Sequence, residues 1–392
     1  MKILVLNAGS SSLKCHLFDW AGESQKPVWQ AHADWSRKQV PARLTISTAA
    51  GKVQESEIAN PDVSTILRQL TAALPMVPDI AAHRIVHGGS LFHKAVLLTP
   101  EVQQQAMGFS PFAPSHNPMQ LEIVDEMERM LGPKVPQYGV FDTAFHTTLA
   151  PEAYVYAVPS HWLERGIRRY GFHGISHQYV SHQAAKLLGG ESTESRIVTA
   201  HLGNGCSLAA VVGGVSVATT MGFTPLDGLV MGTRSGSVDP GILIHLVRQY
   251  GYSADMLEAE LNQESGLKGI SGISGDMREL LAAMQIGSEP ARLAFDIYTS
   301  SIARFAAGLI PAMGGLDALV FTAGIGENSP EVRAAVVQKL AFLGVALDEA
   351  VNQNKPMDQV ISKAGTKPQV LVVRSEEDWE IARQCFAAQA EP

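Results

Sequence analysis

At 392 residues, with 46% hydrophobic and 17% charged side chains, the chain is too long for one core and too apolar for disorder, so two globular domains are expected. A net charge of −8 argues against a general nucleic-acid binder; an acidic chain that takes an anionic ligand must gather positive charge locally, on individual arginines. Three widely spaced cysteines (Cys15, Cys206 and Cys385), no charged leader before an apolar core and no apolar run near the ~20 residues that span a bilayer make a cytoplasmic protein without membrane partner the expectation.

Residues 2–19 read as strand, Gly/Ser turn, strand. Ser10, Ser11 and Ser12 offer hydroxyls there, and Lys14 an ammonium, to a phosphate. Short strand-like pieces fill 20–60, and a helix is expected over 62–74, ended by Pro75. Residues 80–89 form a strand running into Gly88-Gly89, with Arg84 inside it; a buried arginine pairs with a carboxylate or meets a ligand. His83 and His87 have helical metal spacing but lie in a strand, so a zinc site is rejected. A helix opens near 112–119 and runs through Met130. Asp142 then closes a short apolar strand, either as a catalytic carboxylate at a strand end or as the cap of the next turn. His173, beside Phe172 and bracketed by Gly171 and Gly174, is expected on an exposed loop before a helix over 178–188.

Residues 196–215 repeat the opening pattern around Gly203-Asn204-Gly205. Glycines there let backbone N–H groups converge on an anion, although Asn-Gly also makes ordinary hairpin turns. Two such hairpins far apart point to a duplicated α/β fold with a nucleotide held between the halves. Arg234 stands alone among small residues in 219–241 and reads as an anion-facing finger. Residues 268–278 form a Gly/Ser loop entering a helix, where Asp276 caps that helix or accepts ribose hydroxyls. A long amphipathic helix is expected over 291–310. Strand, Gly324-Ile325-Gly326 turn and helix follow in 318–333, a third nucleotide-facing loop. The last strand ends in Glu376, Glu377, Asp378 and Glu380, a solvated helix start or a reach toward Mg²⁺.

Seven stretches, in order from residue 3 to about 383, carry a resemblance: Asn7-Ala-Gly-Ser-Ser-Ser-Leu-Lys14, His83-Arg-Ile-Val-His-Gly-Gly89, Phe141-Asp-Thr-Ala-Phe-His146, Tyr170-Gly-Phe-His-Gly174, His201-Leu-Gly-Asn-Gly205, Gly232-Thr-Arg-Ser-Gly236 and Gly324-Ile-Gly-Glu-Asn328. Together they resemble the acetate kinase family, within the acetate and sugar kinase, Hsp70 and actin superfamily. The resemblance implies two duplicated actin-like (ribonuclease H-like) domains, 1–146 with 379–392 and 147–378, with a nucleotide cleft between them, in a homodimer. It implies Mg²⁺-dependent (or Mn²⁺-dependent) transfer of the ATP γ-phosphate to acetate, giving acetyl phosphate and ADP. By that likeness Arg84 and Arg234 bind carboxylate and transferring phosphoryl, His173 hydrogen-bonds the phosphoryl oxygens and Asp142 takes the active-site acid position. Asn7 and Glu377 match the metal positions, and Lys14 and Ser12 face ATP. The nucleotide loops match His201, Leu202, Gly203, Asn204 and Gly205; Asp276, Met277 and Arg278; and Gly324, Ile325, Gly326, Glu327 and Asn328. Val86, Phe172 and Pro225 fall on the acyl pocket.

A carboxylic acid with a pKa of ~4 to 5 is already ionised at neutral pH, so the nucleophile needs no base and Asp142 is expected to fix Arg84 or the metal shell. Three departures stand out. Ser115 replaces a usual leucine, Ser237 a usual aspartate that could partner Arg234, and Ser375-Glu376-Glu377-Asp378 a usual Thr-Asn-Glu-Glu. The competing readings are a propionate or other short-chain carboxylate kinase and, from another class, an Hsp70/actin-type ATP-driven binding protein; sugar kinases share the hairpins but need a base for a hydroxyl.

Overall fold

The first apolar run forms β1 (Lys2–Ala8), six of whose seven residues are buried, as a strand covered on both faces requires. The next run alternates and forms β2 (Ser12–Asp19), which points Leu13, Cys15 and Leu17 inward and leaves Lys14 exposed. The computed structural model describes the chain except residues 10–11, 21–24, 36–40, 49–50, 52, 59–61, 115, 191–193 and 391–392, so Ser10, Ser11 and Ser115 lie outside the described residues. Two compact units emerge, residues 1–144 with 376–392 and residues 145–375, which puts Glu377 and Asp378 in the N-terminal unit.

In that unit an antiparallel meander continues from β2 through β3 (Trp29–Asp34), β4 (Ala42–Thr48) and β5 (Val53–Ile58). On the other side β1 runs parallel to β6 (Ile80–Ile85), and β6 parallel to β8 (Gln137–Phe141), edged by β7 (Val96–Leu97). The sheet order is β5-β4-β3-β2-β1-β6-β8-β7. Helices Val63–Ala72, capped by Asp62, and Asn117–Leu131 bury Ile66, Leu67, Leu70, Ile123 and Met127 against Leu4, Leu6, Leu13 and Leu17. The C-terminal helix Glu377–Ala390 meets side chains that β2 turns the other way. Trp379 lies edge-on to Phe18 at 5.6 Å and stacks on Trp20 at 4.5 Å.

The second unit repeats the plan. β9 (Arg196–Leu202), β10 (Cys206–Val212) and β11 (Val215–Thr219) form an antiparallel trio; β12 (Ala318–Thr322) runs parallel to β9, and β14 (Gln369–Val372) parallel to β12, edged by β13 (Gln359–Val360). Its order, β11-β10-β9-β12-β14-β13, matches β3-β2-β1-β6-β8-β7 in direction and neighbour. The expected duplication is therefore present in the strands. Helix Glu289–Met313 packs Phe295, Tyr298, Ile302 and Ala306 into this unit. It is long and apolar enough to cross a membrane, but half of its most apolar window is buried inside the unit.

Three expectations about local structure are corrected. The helix after His173 begins at Gly174, four residues before the expected start, because His173 itself turns the chain at φ 56°. Part of the 268–278 loop is a helix, Gly266–Ser271. The Gly324-Ile-Gly turn is a short helix, Ala323–Asn328, entered through Ala323 at φ 63°. The three cysteines are buried free thiols, and burial pushes each thiol's pKa upward, to about 11 for Cys206.

Four histidines are buried, His83 and His87 in the first unit and His146 and His177 in the second. Burial lowers the pKa of His83, His87 and His146 from 6.5 to about 4, the bonds to Gln137 and the Phe172 carbonyl only partly opposing it, and it takes His177 well below 6.5. Between those values the unfolded chain binds protons that the folded one refuses, so stability is present above pH 6.5 and is lost as pH falls. We expect urea unfolding between pH 7 and pH 5.5 to show a loss of about 1 kcal/mol per buried histidine, recovered on returning to pH 7. A flat midpoint over that range would contradict the neutral, buried state of these rings.

Candidate active site

In the N-terminal unit the site grows from the carboxyl ends of the parallel strands, where α/β sheets place their ligands. Arg84, near the end of β6, donates from Nε to both oxygens of Asp142 at 3.1 Å and from Nη2 to Oδ2 at 2.5 Å. Its Nη1 donates to Asn7 Oδ1 at 3.3 Å, and Asn7 Nδ2 donates to Asp378 Oδ1 at 2.7 Å. His16 Nδ1 lies 2.6 Å from the other oxygen of Asp378. Asp142 therefore engages Arg84, just before the turn Ala144–His146.

Burial works against the Arg84 charge, yet Asp142, helped by Glu377 and Asp378, holds its pKa above the ordinary value. Glu377 is pushed up, first by burial; Arg84 pulls it down, while Asp142 and Asp378 push it further up. Burial alone would raise Asp378 too, but the bond and charge of His16 and the Asn7 amide bring it below the usual range. The solvated reading of the C-terminal acids is overturned: none of Glu376, Glu377 and Asp378 is exposed, and Glu380 is buried in a pair with Arg383. Lys14 is exposed on β2 in register with Asn7, and Ser12 accepts the Gly9 N–H through its carbonyl at 2.8 Å.

The loop after Arg84 is held by residues that sequence reasoning missed. Val86 donates its N–H to Gln120 Oε1 at 2.9 Å, His87 to Asn117 Oδ1 at 3.0 Å, and Gly88 to Thr143 Oγ1 at 3.0 Å. Gln120 and Asn117 are wholly buried amides on the helix that follows Pro114 and His116; an apolar helix face broken by two amides was the available signal. Gly89, at φ 61°, has no room for a Cβ, which would come within 2.1 Å of the Phe109 ring.

In the C-terminal unit His173 bonds Ser207 Oγ through Nδ1 at 2.8 Å and stacks on His201 at 4.2 Å. Ser207 also bonds His177 Nε2 at 2.8 Å. Arg234 donates from Nη1 to the Pro225 carbonyl at 2.8 Å. A Cβ on Gly205 would stand 3.4 Å from both Arg234 Nη1 and His173 Nε2, so the hairpin glycine, the arginine and the histidine converge on one point. Burial pushes the Arg234 pKa below its ordinary value, and among the described residues no carboxylate pairs with it. Ser237, where the related pattern has an aspartate, donates instead to Asp227 at 2.6 Å. Phe172 is buried, its carbonyl within 3.2 Å of His146 Nε2.

The three expected nucleotide loops meet around one cavity of about 570 Å³. Gly203 and Asn204, Asp276 to Arg278, and Gly324, Ile325 and Asn328 line it. Gly205 faces Arg234 and His173 instead. Leu202 is fully buried, His201 Nδ1 bonds Ser176, Gly326 gives its carbonyl to Arg333, and Glu327 turns to the protein's own backbone; none of these four lines the cavity. Asp276 caps the helix Met277–Gln285 by accepting the Arg278 N–H at 2.8 Å, and it also pairs with the Arg278 guanidinium.

Two α/β units sharing one strand plan, with glycine loops around a cavity and a half-buried arginine and histidine beside them, define a kinase of the actin-like two-domain class. The acetokinase family model matches residues 2–383, and the chain belongs to that family. It is 48% identical to an acetate kinase of Gloeobacter violaceus (98% of this chain, 99% of the relative) and 49% identical to one of Microcystis aeruginosa (98% and 99%). Among solved structures it resembles a propionate kinase from Francisella tularensis at TM-score 0.91 and 36% identity (98% of each chain), and the Porphyromonas gingivalis acetate kinase at 0.88 and 37% (99% of each).

Proposed function

We propose that this chain is an acetate kinase, transferring the γ-phosphate of ATP reversibly to acetate. One observation carries the reading: Arg234, half-buried and with no carboxylate partner among the described residues, converges with His173 at Gly205, on the same hairpin whose Gly203 and Asn204 line the cavity. Phosphoryl transfer asks mainly for positioning and charge neutralisation, which such donors supply. Adenosine and the inner phosphates would rest against Gly203–Asn204, Asp276–Arg278 and Gly324–Asn328, with Asp276 also in reach of ribose, and Ser12, Lys14 and the His201–Gly205 loop would serve the phosphate chain. Arg84 would hold the acetate carboxylate, with Val86, Phe172 and Pro225 around the methyl group. Asp142, already bound bidentately by Arg84, orients that guanidinium and is not needed as a base.

The donor set suits a divalent ion. Glu377 makes no hydrogen bond or ion pair among the described residues, and its pKa is raised in company with Asp142 and Asp378, a cluster that a cation would relieve. Among the described residues no group of three or more His, Cys, Asp or Glu is arranged to hold a metal by itself; Mg²⁺ (or Mn²⁺) is commonly held by one or two carboxylates together with substrate phosphates. Asn7, Glu377 and Asp378 would hold it, and the ion would neutralise charge on the phosphates.

Hydroxylamine trapping of acyl phosphate tests the reading. ATP and acetate should give hydroxamate, with kcat/KM falling from acetate through propionate to butyrate by up to about 100-fold per methylene. The likeness to a propionate kinase makes propionate the second reading, and a higher kcat/KM for propionate would establish it. No hydroxamate from any acid would return the chain to the ATP-driven binding class.

A homodimer is also proposed. Helix Pro240–Tyr250 buries none of its residues, and Ile242, Ile244, Val247 and Tyr250 are 50, 53, 48 and 68% exposed, an apolar face of the kind that subunits cover. Sedimentation should give twice the chain mass, and Ile244→Asp with Val247→Asp should give the monomer.

A further inference from the structure

Glu327 sits in a motif that faces nucleotide, yet its carboxylate binds the protein itself. One oxygen, Oε1, accepts the Ala323 N–H at 2.8 Å, the Ser375 N–H at 2.9 Å and, more weakly, the Thr322 hydroxyl at 3.4 Å. Ala323 is the residue whose left-handed φ of 63° opens the loop against the cavity. For an alanine that conformation is unfavourable, and a side-chain oxygen accepting its N–H is the kind of contact that holds it. Ser375 is the last residue of the C-terminal unit before the chain passes into Glu376, Glu377 and Asp378. Its hydroxyl lies 3.1 Å from that of Ser176, in the first turn of the helix that follows His173, and Ser176 bonds His201 Nδ1 at 2.8 Å. A single carboxylate oxygen thus joins the start of the nucleotide loop to the segment that delivers the candidate metal-side acids.

We infer that Glu327 is a positioning residue: through Ser375 it transmits the placement of the loop Ala323–Asn328 to the start of helix Glu377–Ala390, so that a nucleotide in the cavity orders Glu377 and Asp378. This rests on the reading of the cavity as the nucleotide site. The carboxylate need not touch the ligand. Its reach is what matters, because both backbone donors share one oxygen and a shorter side chain cannot serve them together.

Hydrogen exchange with ADP as the probe tests this on the full-length protein. ADP should slow amide exchange at least threefold in 323–328 and in 375–380. In Glu327→Ala the slowing in 323–328 should persist and that in 375–380 should vanish. Glu327→Gln keeps an oxygen at the same reach and should retain both effects; Glu327→Asp keeps the charge, loses one methylene and should behave like the alanine variant. A role for the charge alone would rank Asp above Gln and would overturn the inference. So would wild-type protein in which ADP protects 323–328 without 375–380, or Glu327→Ala protein that keeps protection at both. Absence of ADP protection at both segments in the wild type would instead remove the cavity's nucleotide assignment, and the inference with it.

Discussion

Arg234→Met is expected to fold with at least wild-type stability while losing about 100- to 1,000-fold in kcat, the range seen when one oriented donor to a transition state is removed. Ordinarily a buried arginine is destabilising to delete because its carboxylate is left behind. Here no carboxylate is left behind: among the described residues Nη1 donates to the Pro225 carbonyl and leans on Met231 Sδ, and burial depresses the guanidinium's pKa. A charge kept dry without a counter-charge costs the fold free energy and is worth keeping only if an anion arrives. Methionine fills similar volume without the charge. Parallel urea titrations and hydroxamate assays check both halves of the expectation. A variant that loses more than about 2 kcal/mol, or that keeps kcat within tenfold, would show that Arg234 serves the fold and not the substrate.

Asp142→Asn is expected to do the opposite, costing about 3 kcal/mol of stability and raising the acetate KM at least tenfold along with a fall in kcat. Asp142 is almost completely buried and receives three donations from Arg84, which has Asn7 as its next partner. An amide keeps the shape but returns one donor and no charge, so Arg84 swings and loses the geometry in which a carboxylate can be met. If the asparagine variant shows wild-type stability and acetate KM but no turnover, Asp142 belongs to the chemistry itself and its orienting role is wrong.

The glycine hairpin at 203–205 was legible because β-branched runs on either side leave few alternatives, and its strands form as read. Arg84 and Arg234 were legible for a different reason: a charge inside an apolar or small-residue run needs a partner. What could not be read was how each need is met, and the two arginines answer oppositely, one with Asp142 and one with only a carbonyl. Glu327 was grouped with the nucleotide loop because its neighbours are, yet its partner Ser375 lies far along the chain, and no local pattern encodes that bond. The same holds for Asn117 and Gln120, whose amides hold the loop after Arg84 across the helix–sheet contact. Asp378 was passed over for Glu376 and Glu377, since spacing near a helix start does not say which acid turns toward β1 and finds Asn7.

The sealed thiols of Cys15, Cys206 and Cys385 make the natural protein a ready host for site-directed probes. With no reactive sulfur of its own at the surface, the chain should accept one new cysteine in each unit, for instance at Leu91 and Ile286, which are 54 and 88% exposed. Spin labels or fluorophores attached there would report the span between the two halves through a full catalytic turnover, with the native cysteines left in place.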